Sequence, residues 1–180
     1  SIAPLHQLNQ LMYLDLSNTG VRDLEPISAL PELIELSLGG NAQLDLQPLM
    51  HMHQLRKLSL GKNEIRDISP LATLRAIERL SLSNNRISKL EPLRDLTQLK
   101  SLNLWQNKID NLTHLSALSR LQHLNLSANR ITDVNALSHL SQLRTLRLTD
   151  NSIEDIGPLT SLVDLTELRL GSNRIENVLP

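Results

Sequence analysis

Six histidines, two Asn-x-Ser/Thr triplets and one Gly-Gly pair are the residues of this 180-residue chain with the type and spacing to suggest chemistry. His51-x-His53 looks like half a metal site, but zinc needs further ligands to close its shell. Cysteine is absent, which removes both thiolate ligands and disulfide staples. Asn111-Leu112-Thr113 and Asn125-Leu126-Ser127 match the glycosylation acceptor pattern. Gly39-Gly40 lacks the rest of a phosphate loop, and no Gly-x-Ser-x-Gly elbow occurs. Whether any of these residues is reactive depends on the elements that carry them.

Those elements are set by a repeat. The pattern LxxLxLxxN begins at Leu11, Leu33, Leu55, Ile77, Leu99, Leu121, Leu143 and Leu165, each 22 residues after the last. The first ten residues are in phase, because Ile2, Pro4, Leu5 and Leu8 take the slots of Ile68, Pro70, Leu71 and Leu74. A constant period of this size means a stack of similar units, each touching only its neighbours. Leucine supplies 43 residues and the only aromatics are Tyr13 and Trp105, as a stack of aliphatic slots allows. A coiled coil fails: the apolar spacing through Leu55, Leu58, Leu60, Ile65, Ile68, Leu71, Leu74 and Ile77 never alternates 3 and 4. Proline at positions 4, 26, 48, 70, 92 and 158 also forbids a continuous helix.

Within a unit, the step of two from Leu58 to Leu60 predicts a short strand with both leucines inward and Lys57, Ser59 and Gly61 outward. Asn41, Asn63, Asn85, Asn107, Asn129, Asn151 and Asn173 follow where the chain must turn. An amide there can donate to and accept from the backbone of adjacent turns, forming a ladder that Thr19 weakens in the first full unit. Ser69-Pro70-Leu71 reads as a capping hydroxyl before a proline-started turn. Too few residues remain for more than a 3₁₀ turn or two before the next strand. His114 and Ala136 replace the proline in units five and six, predicting looser turns. Unit two carries Gln43-Leu44, where other units have the apolar residue one place earlier.

The pattern LxxLxLxxNxIxxIxPLxxLxx, with Asp67 to Ala72 reading DISPLA, resembles the leucine-rich repeats of the bacterial internalin type over all 180 residues. A related short-repeat class of phosphatase regulators shares the length but usually lacks the Pro-Leu step. The resemblance implies an α/β-type leucine-rich repeat solenoid. That is a right-handed, curved superhelix with a parallel sheet on its concave face and 3₁₀ turns on its convex face. It also favours a secreted, surface-attached or host-delivered bacterial protein. Residues 1–180 read as a single domain that begins and ends mid-repeat without a visible cap. Leu179 breaks into a slot that is polar elsewhere. The expectation is therefore a piece of a longer protein with flanking domains or caps, or one that pairs end to end with a second copy.

In this register His51 and His53 fall on the convex return, at slots filled elsewhere by Ala, Thr, Ser and Arg. No third ligand occupies a matching slot in the neighbouring units, so a solvated pair is expected, with no metal, cofactor or catalytic residue. Gly39-Gly40 and the two Asn triplets are repeat residues. Net charge is −1 and no apolar run approaches membrane length, which gives no pull toward nucleic acid and no membrane insertion.

The outward strand positions are the informative set, because packing does not dictate them. Both aromatics fall there, and an aromatic in water gains nothing for the fold, so it suggests an interface anchor. Trp105 has Ser83 and Ser127 as column neighbours. Tyr13 stands beside Met12 and Ile34, a small apolar patch suited either to a docked cap or to a ligand. Charge varies along the face: Asp15 and Glu35 first, then Lys57, Lys62 and Arg79, and later Arg147 with Asp150. Such variation suits a protein partner, whereas nucleic acid would want a continuous basic stripe. The expected contact set is Trp105, Tyr13, Asp15, Glu35, Lys57, Lys62, Arg79, Asn103, Gln106, His123, Arg147 and Asp150. The reading is a non-enzymatic domain that binds a protein on its concave face. The alternatives are a regulatory or scaffold segment of an intracellular signalling protein, or an accessory module of an enzyme.

Overall fold

The computed structural model describes residues 1–176, so Leu179 lies outside the described residues. Eight strands of three residues each lie side by side in sequence order, every neighbouring pair parallel. They are β1 (Tyr13–Asp15), β2 (Glu35–Ser37), β3 (Lys57–Ser59), β4 (Arg79–Ser81), β5 (Ser101–Asn103), β6 (His123–Asn125), β7 (Thr145–Arg147) and β8 (Glu167–Arg169). The register is constant, so Leu14, Leu36, Leu58, Leu80, Leu102, Leu124, Leu146 and Leu168 stand in one row. Strands β1 to β7 each return through a single helical turn, such as Ser69–Thr73 or Gly157–Ser161, in 3₁₀ geometry. The exception is Glu25–Ser28, one turn of α-helix. Parallel strands sit about 4.8 Å apart, less than helical turns need, so the stack bends with the sheet inside. The result is an open solenoid with strands on the concave side and 3₁₀ turns on the convex side.

The core is a column of aliphatic slots. In unit three Leu55, Leu58, Leu60, Ile68, Leu71 and Leu74 are all essentially inaccessible. Each such side chain contributes roughly 1.5–3 kcal/mol of burial. A slot with a unit on one side only is less protected: Leu168 in β8 is 42% exposed, whereas Leu146 in β7 is fully buried.

The asparagine ladder forms as expected. Asn85 Nδ2 donates to Leu82 O at 3.0 Å in its own unit and to Leu60 O at 2.9 Å in the unit before. Its Oδ1 accepts from Ile65 N at 2.9 Å and Asn63 N at 3.2 Å. The same links recur down to Asn173, whose Nδ2 donates to Leu170 and Leu148 carbonyls and whose Oδ1 accepts from Ile153 N. Thr19 manages only part of this, with Oγ1 donating to Leu16 O at 2.7 Å. Among the described residues no buried side-chain polar atom lacks a partner.

The helix-start signal works differently from the sequence expectation. Ser69 does not cap. Asp67 Oδ1 accepts from Ser69 N at 2.8 Å, while Ser69 Oγ donates to Asp67 Oδ2 at 2.9 Å. The aspartate two residues before the turn is better placed because its carboxylate folds forward onto the free N–H in an Asx turn. Asp23, Asp45, Asn111, Asp133 and Asp155 do the same for residues 25, 47, 113, 135 and 157. Lys89 holds that slot in unit four. In unit two, Gln43 adopts a left-handed φ of 69°. That twist carries Leu44 inward, where it packs partly buried against the core.

Two stability predictions follow from these bonds. The side-chain amide of each ladder asparagine bonds only its own unit and the one before, so the cost of losing it depends on burial. Asn85 is 8% exposed and Asn173 is only half-buried. Asn85→Ala should therefore lower unfolding free energy by about 1–3 kcal/mol in denaturant melts, and Asn173→Ala by less. Equal or reversed losses would contradict the ladder. Lys89→Asp should supply the missing cap to the N–H of Glu91 and raise stability by about 0.5–1 kcal/mol. A neutral or negative change would show that the Asx cap is not what holds the turn.

Candidate protein-binding face

In each strand the middle leucine points inward, leaving the flanking pair outward. Constant register stacks these into columns, so Tyr13, Glu35, Lys57, Arg79, Ser101, His123, Thr145 and Glu167 form one row across the face. Asp15, Asn103 and Arg147 belong to the next. Backbone pairing continues past the strands: Leu104 N donates to Asn125 O at 2.8 Å and Gln106 N to Ser127 O at 2.9 Å. A third column, running through Ser83, Trp105 and Ser127, is thereby held on the same face. The fourth does not belong to the strand as expected. Asn18, Gly40, Lys62, Asn84, Gln106, Ala128, Asp150 and Ser172 all have φ between 54° and 73°. A left-handed residue is needed here to turn the chain so that the following asparagine enters the core. Lys62, Gln106 and Asp150 therefore sit at the rim of the sheet.

Trp105 is 41% exposed on this face. Its N–H donates to Asn103 Oδ1 at 3.1 Å and its carbonyl accepts from Asn84 N at 2.7 Å. The backbone is pinned while the indole remains open to solvent between two serines. Tyr13 is 63% exposed, and Met12, next to it in the chain, is 40% exposed. There, β1 has a neighbour on one side only.

The concave face carries a groove of ≈ 320 Å³ across β5, β6 and β7. Ser101, Asn103, His123, Asn125, Thr145 and Arg147 line it above the buried Leu102 and Leu124. It brings together three of the expected contact residues, Asn103, His123 and Arg147, and adds Ser101, Asn125 and Thr145. His123 Nδ1 is 2.9 Å from Thr145 Oγ1. The remaining expected residues of units one to four, Asp15, Glu35, Lys57, Lys62 and Arg79 with Tyr13, lie outside it.

Charge on the face is partly used up by bonds between units. Lys57 Nζ reaches Glu35 Oε1 at 2.5 Å, so Lys57 does not form a free basic patch with Lys62 and Arg79. Glu78 is held by Lys100 at 2.6 Å and Arg56 at 3.2 Å. Glu167 bridges Arg147 at 2.9 Å and Arg169 at 2.6 Å. Lys100 is the partner the sequence reading missed, and its signal was the 22-residue offset from Glu78. The hydrogen bond from Lys100, with the charges of Lys100 and Arg56, holds the Glu78 carboxyl below the ordinary glutamate range against a small burial cost. Arg147, then Arg169, does the same for Glu167. Asp15 is lowered by the Ser17 hydroxyl and N–H, the latter at 2.8 Å. Lys62, Arg79 and Arg144 make no ion pair among the described residues.

Away from this face the remaining polar residues serve the repeat. His51 ends the Gln47–His51 turn and His53 is exposed, its Nδ1 3.4 Å from Thr73 O. Among the described residues no three His, Asp or Glu side chains gather as a metal site. Asn111 and Asn125 accept from the N–H groups of Thr113 and Ser127. The return of unit five is only Thr113–Leu115, and a groove of ≈ 450 Å³ lies against it, lined in part by Leu112, Thr113 and Ala136. Similar grooves lie against the returns that carry Pro26 and Pro70, the proline-started Glu91–Leu93 is as short, and the proline-free Asn135–His139 is as long as Ser69–Thr73, so replacing the proline does not loosen these turns as expected.

The lowered carboxyls carry a pH prediction. A group whose pKa falls on folding stabilises the fold above its unfolded value and loses that contribution as pH drops through the folded one. Glu78 should therefore help near neutrality, begin to lose that help as pH falls below its ordinary value near 4.5, and give none below its lowered folded value. Glu78→Gln should melt slightly earlier at neutral pH, and its melting temperature should fall less steeply on acidification. Identical acid profiles for the two proteins would show that the Arg56–Glu78–Lys100 bridge is energetically silent, as many exposed pairs are.

Comparison with known proteins agrees with this architecture. A two-copy leucine-rich repeat model matches residues 53–95, 75–117 and 141–180, and a second leucine-rich repeat model matches residues 97–153. Internalin C2 of Listeria monocytogenes is 39% identical with a TM-score of 0.91, the match covering 93% of this chain and 74% of that one. Internalin F of the same organism is 33% identical with a TM-score of 0.77, covering 98% of this chain and 59% of that one. A leucine-rich repeat protein of Leptospira interrogans is 26% identical with a TM-score of 0.92, covering 99% of this chain and 48% of that one. No curated protein sequence matches. With its repeat, its sheet and its turns all shared with these proteins, the chain belongs to the leucine-rich repeat family and is internalin-like.

Proposed function

We propose that this chain is a non-enzymatic protein-interaction domain that holds a protein partner on its concave face. The observation that carries the proposal is Trp105, the only tryptophan, held on that face by a fixed backbone yet 41% exposed. The fold has no use for a bare indole between two serines, whereas an interface core is enriched in aromatic residues. Arg79 and Lys62, free of ion pairs, are the charges available to a partner, and rim charges of this kind act mainly on association rate. Membership of an internalin-like family of repeat modules supports binding rather than catalysis. Tyr13 and its apolar neighbours contribute at the far end of the same face, where Asp15 and Glu35 add negative charge.

A photoreactive amino acid at Gln106, beside the indole, should cross-link a discrete partner protein, while the same group at Arg94 on the convex return should not. Trp105→Ala should weaken that partner's binding by about 2 kcal/mol or more, with the denaturant midpoint nearly unchanged. Tryptophan emission of the free domain should be that of a water-exposed indole and should shift to the blue on complex formation. Cross-linking from the convex position alone, or emission unmoved by a bound partner, would remove the concave face from the reading.

A further inference from the structure

Above the buried Leu102 and Leu124, every side chain lining the groove across β5, β6 and β7 can hydrogen-bond. Two of them are unusually well prepared. Asn103 Oδ1 is engaged by the N–H of Trp105 at 3.1 Å, and Asn125 Oδ1 by the N–H of Ser127 at 3.1 Å. Those bonds fix the amides and leave both Nδ2 groups without a bond inside the described chain. The result is a pair of oriented donors at the strand spacing of about 4.8 Å. Donors held in place beforehand lose little freedom on binding.

The chemistry of the remaining lining narrows the ligand. A peptide anchor would want an apolar pocket, but the floor leucines, Leu102 and Leu124, are only 1% exposed. An anion would want a free guanidinium, but Arg147 spends Nε at 2.9 Å and one Nη at 3.4 Å on Glu167. Arg169, beyond Glu167, leaves one net positive charge at that end of the groove, outside its lining. Within it, the hydroxyls of Ser101 and Thr145 both donate and accept, as sugar hydroxyls do. Trp105, one column over and two residues past the end of β5, offers an exposed flat apolar face.

We propose that this groove is a glycan-binding subsite that takes an uncharged hexose unit, its hydroxyls on Asn103, Asn125 and His123 and one C–H face on Trp105. The subsite does not depend on the protein-partner reading, and either can stand without the other. Because Trp105 is the only tryptophan, its emission with sugar as the sole addition reports on this subsite. Titrating the domain with maltose, cellobiose, lactose and chitobiose should change that emission saturably for at least one of them at millimolar concentration. His123→Ala, an exposed position whose loss leaves the core intact, should weaken the effect at least tenfold. Thr145→Val should weaken it less, and Arg94→Ala, on the convex return, should leave it unchanged. No saturable change with any of the four sugars would overturn the proposal, as would a response that survives His123→Ala with undiminished affinity. Tighter binding of sialyllactose than of lactose would overturn the assignment to an uncharged sugar.

Discussion

One side-chain amide sets the terms for this whole molecule. Each ladder asparagine bridges a carbonyl of its own unit and a carbonyl of the unit before, while accepting an N–H from that earlier unit. Buried backbone groups left without these partners would cost about 1–3 kcal/mol each. The amide reaches them only if successive units superimpose, which ties each unit to one length. Inward leucines then meet leucines, strands pair without slip, and outward residues stack in columns. The left-handed residue before each asparagine belongs to the same constraint, because it delivers the amide to the interior.

This arrangement separates holding the fold from meeting a partner. Inward slots are nearly uniform, whereas the outward columns run from glycine to tryptophan without disturbing strand pairing. The separation is incomplete where charges are concerned. Glu35, Glu78 and Glu167 clasp cations from adjacent units and so consume part of the charge the face displays. What remains open is a region of free cations around Arg79 and Lys62, an exposed indole, and a neutral polar groove beyond it.

Most of the fold was legible in the residues, because a period of 22 with apolar steps of 3, 2 and 5 leaves one solution for strand and turn. The ladder was legible for the same reason. The cap was misread: Ser69 and Asp67 are both good acceptors, and only the geometry of a one-turn helix shows which of them reaches the free N–H. The rim residues Lys62, Gln106 and Asp150 were read as strand because left-handed φ leaves no mark on residue type when glycine is not used. The candidate face was legible as a list but not as a site. Asn103, His123 and Arg147 meet at one groove through the spacing between strands, and Lys57 is neutralised by a glutamate 22 positions away.

The ladder bonds also have a direction. An asparagine side chain reaches backward to the preceding unit and never forward, so neighbouring units meet through the same joint along the stack. A block of 22 codons, duplicated or deleted in frame, therefore leaves every remaining joint whole and changes only how many tiles the face contains. A shift of one codon would break the joints on both sides. Unequal recombination between near-identical units can thus lengthen or shorten the recognition surface in whole steps. Genes built this way can vary the reach of their product faster than point substitution can reshape it.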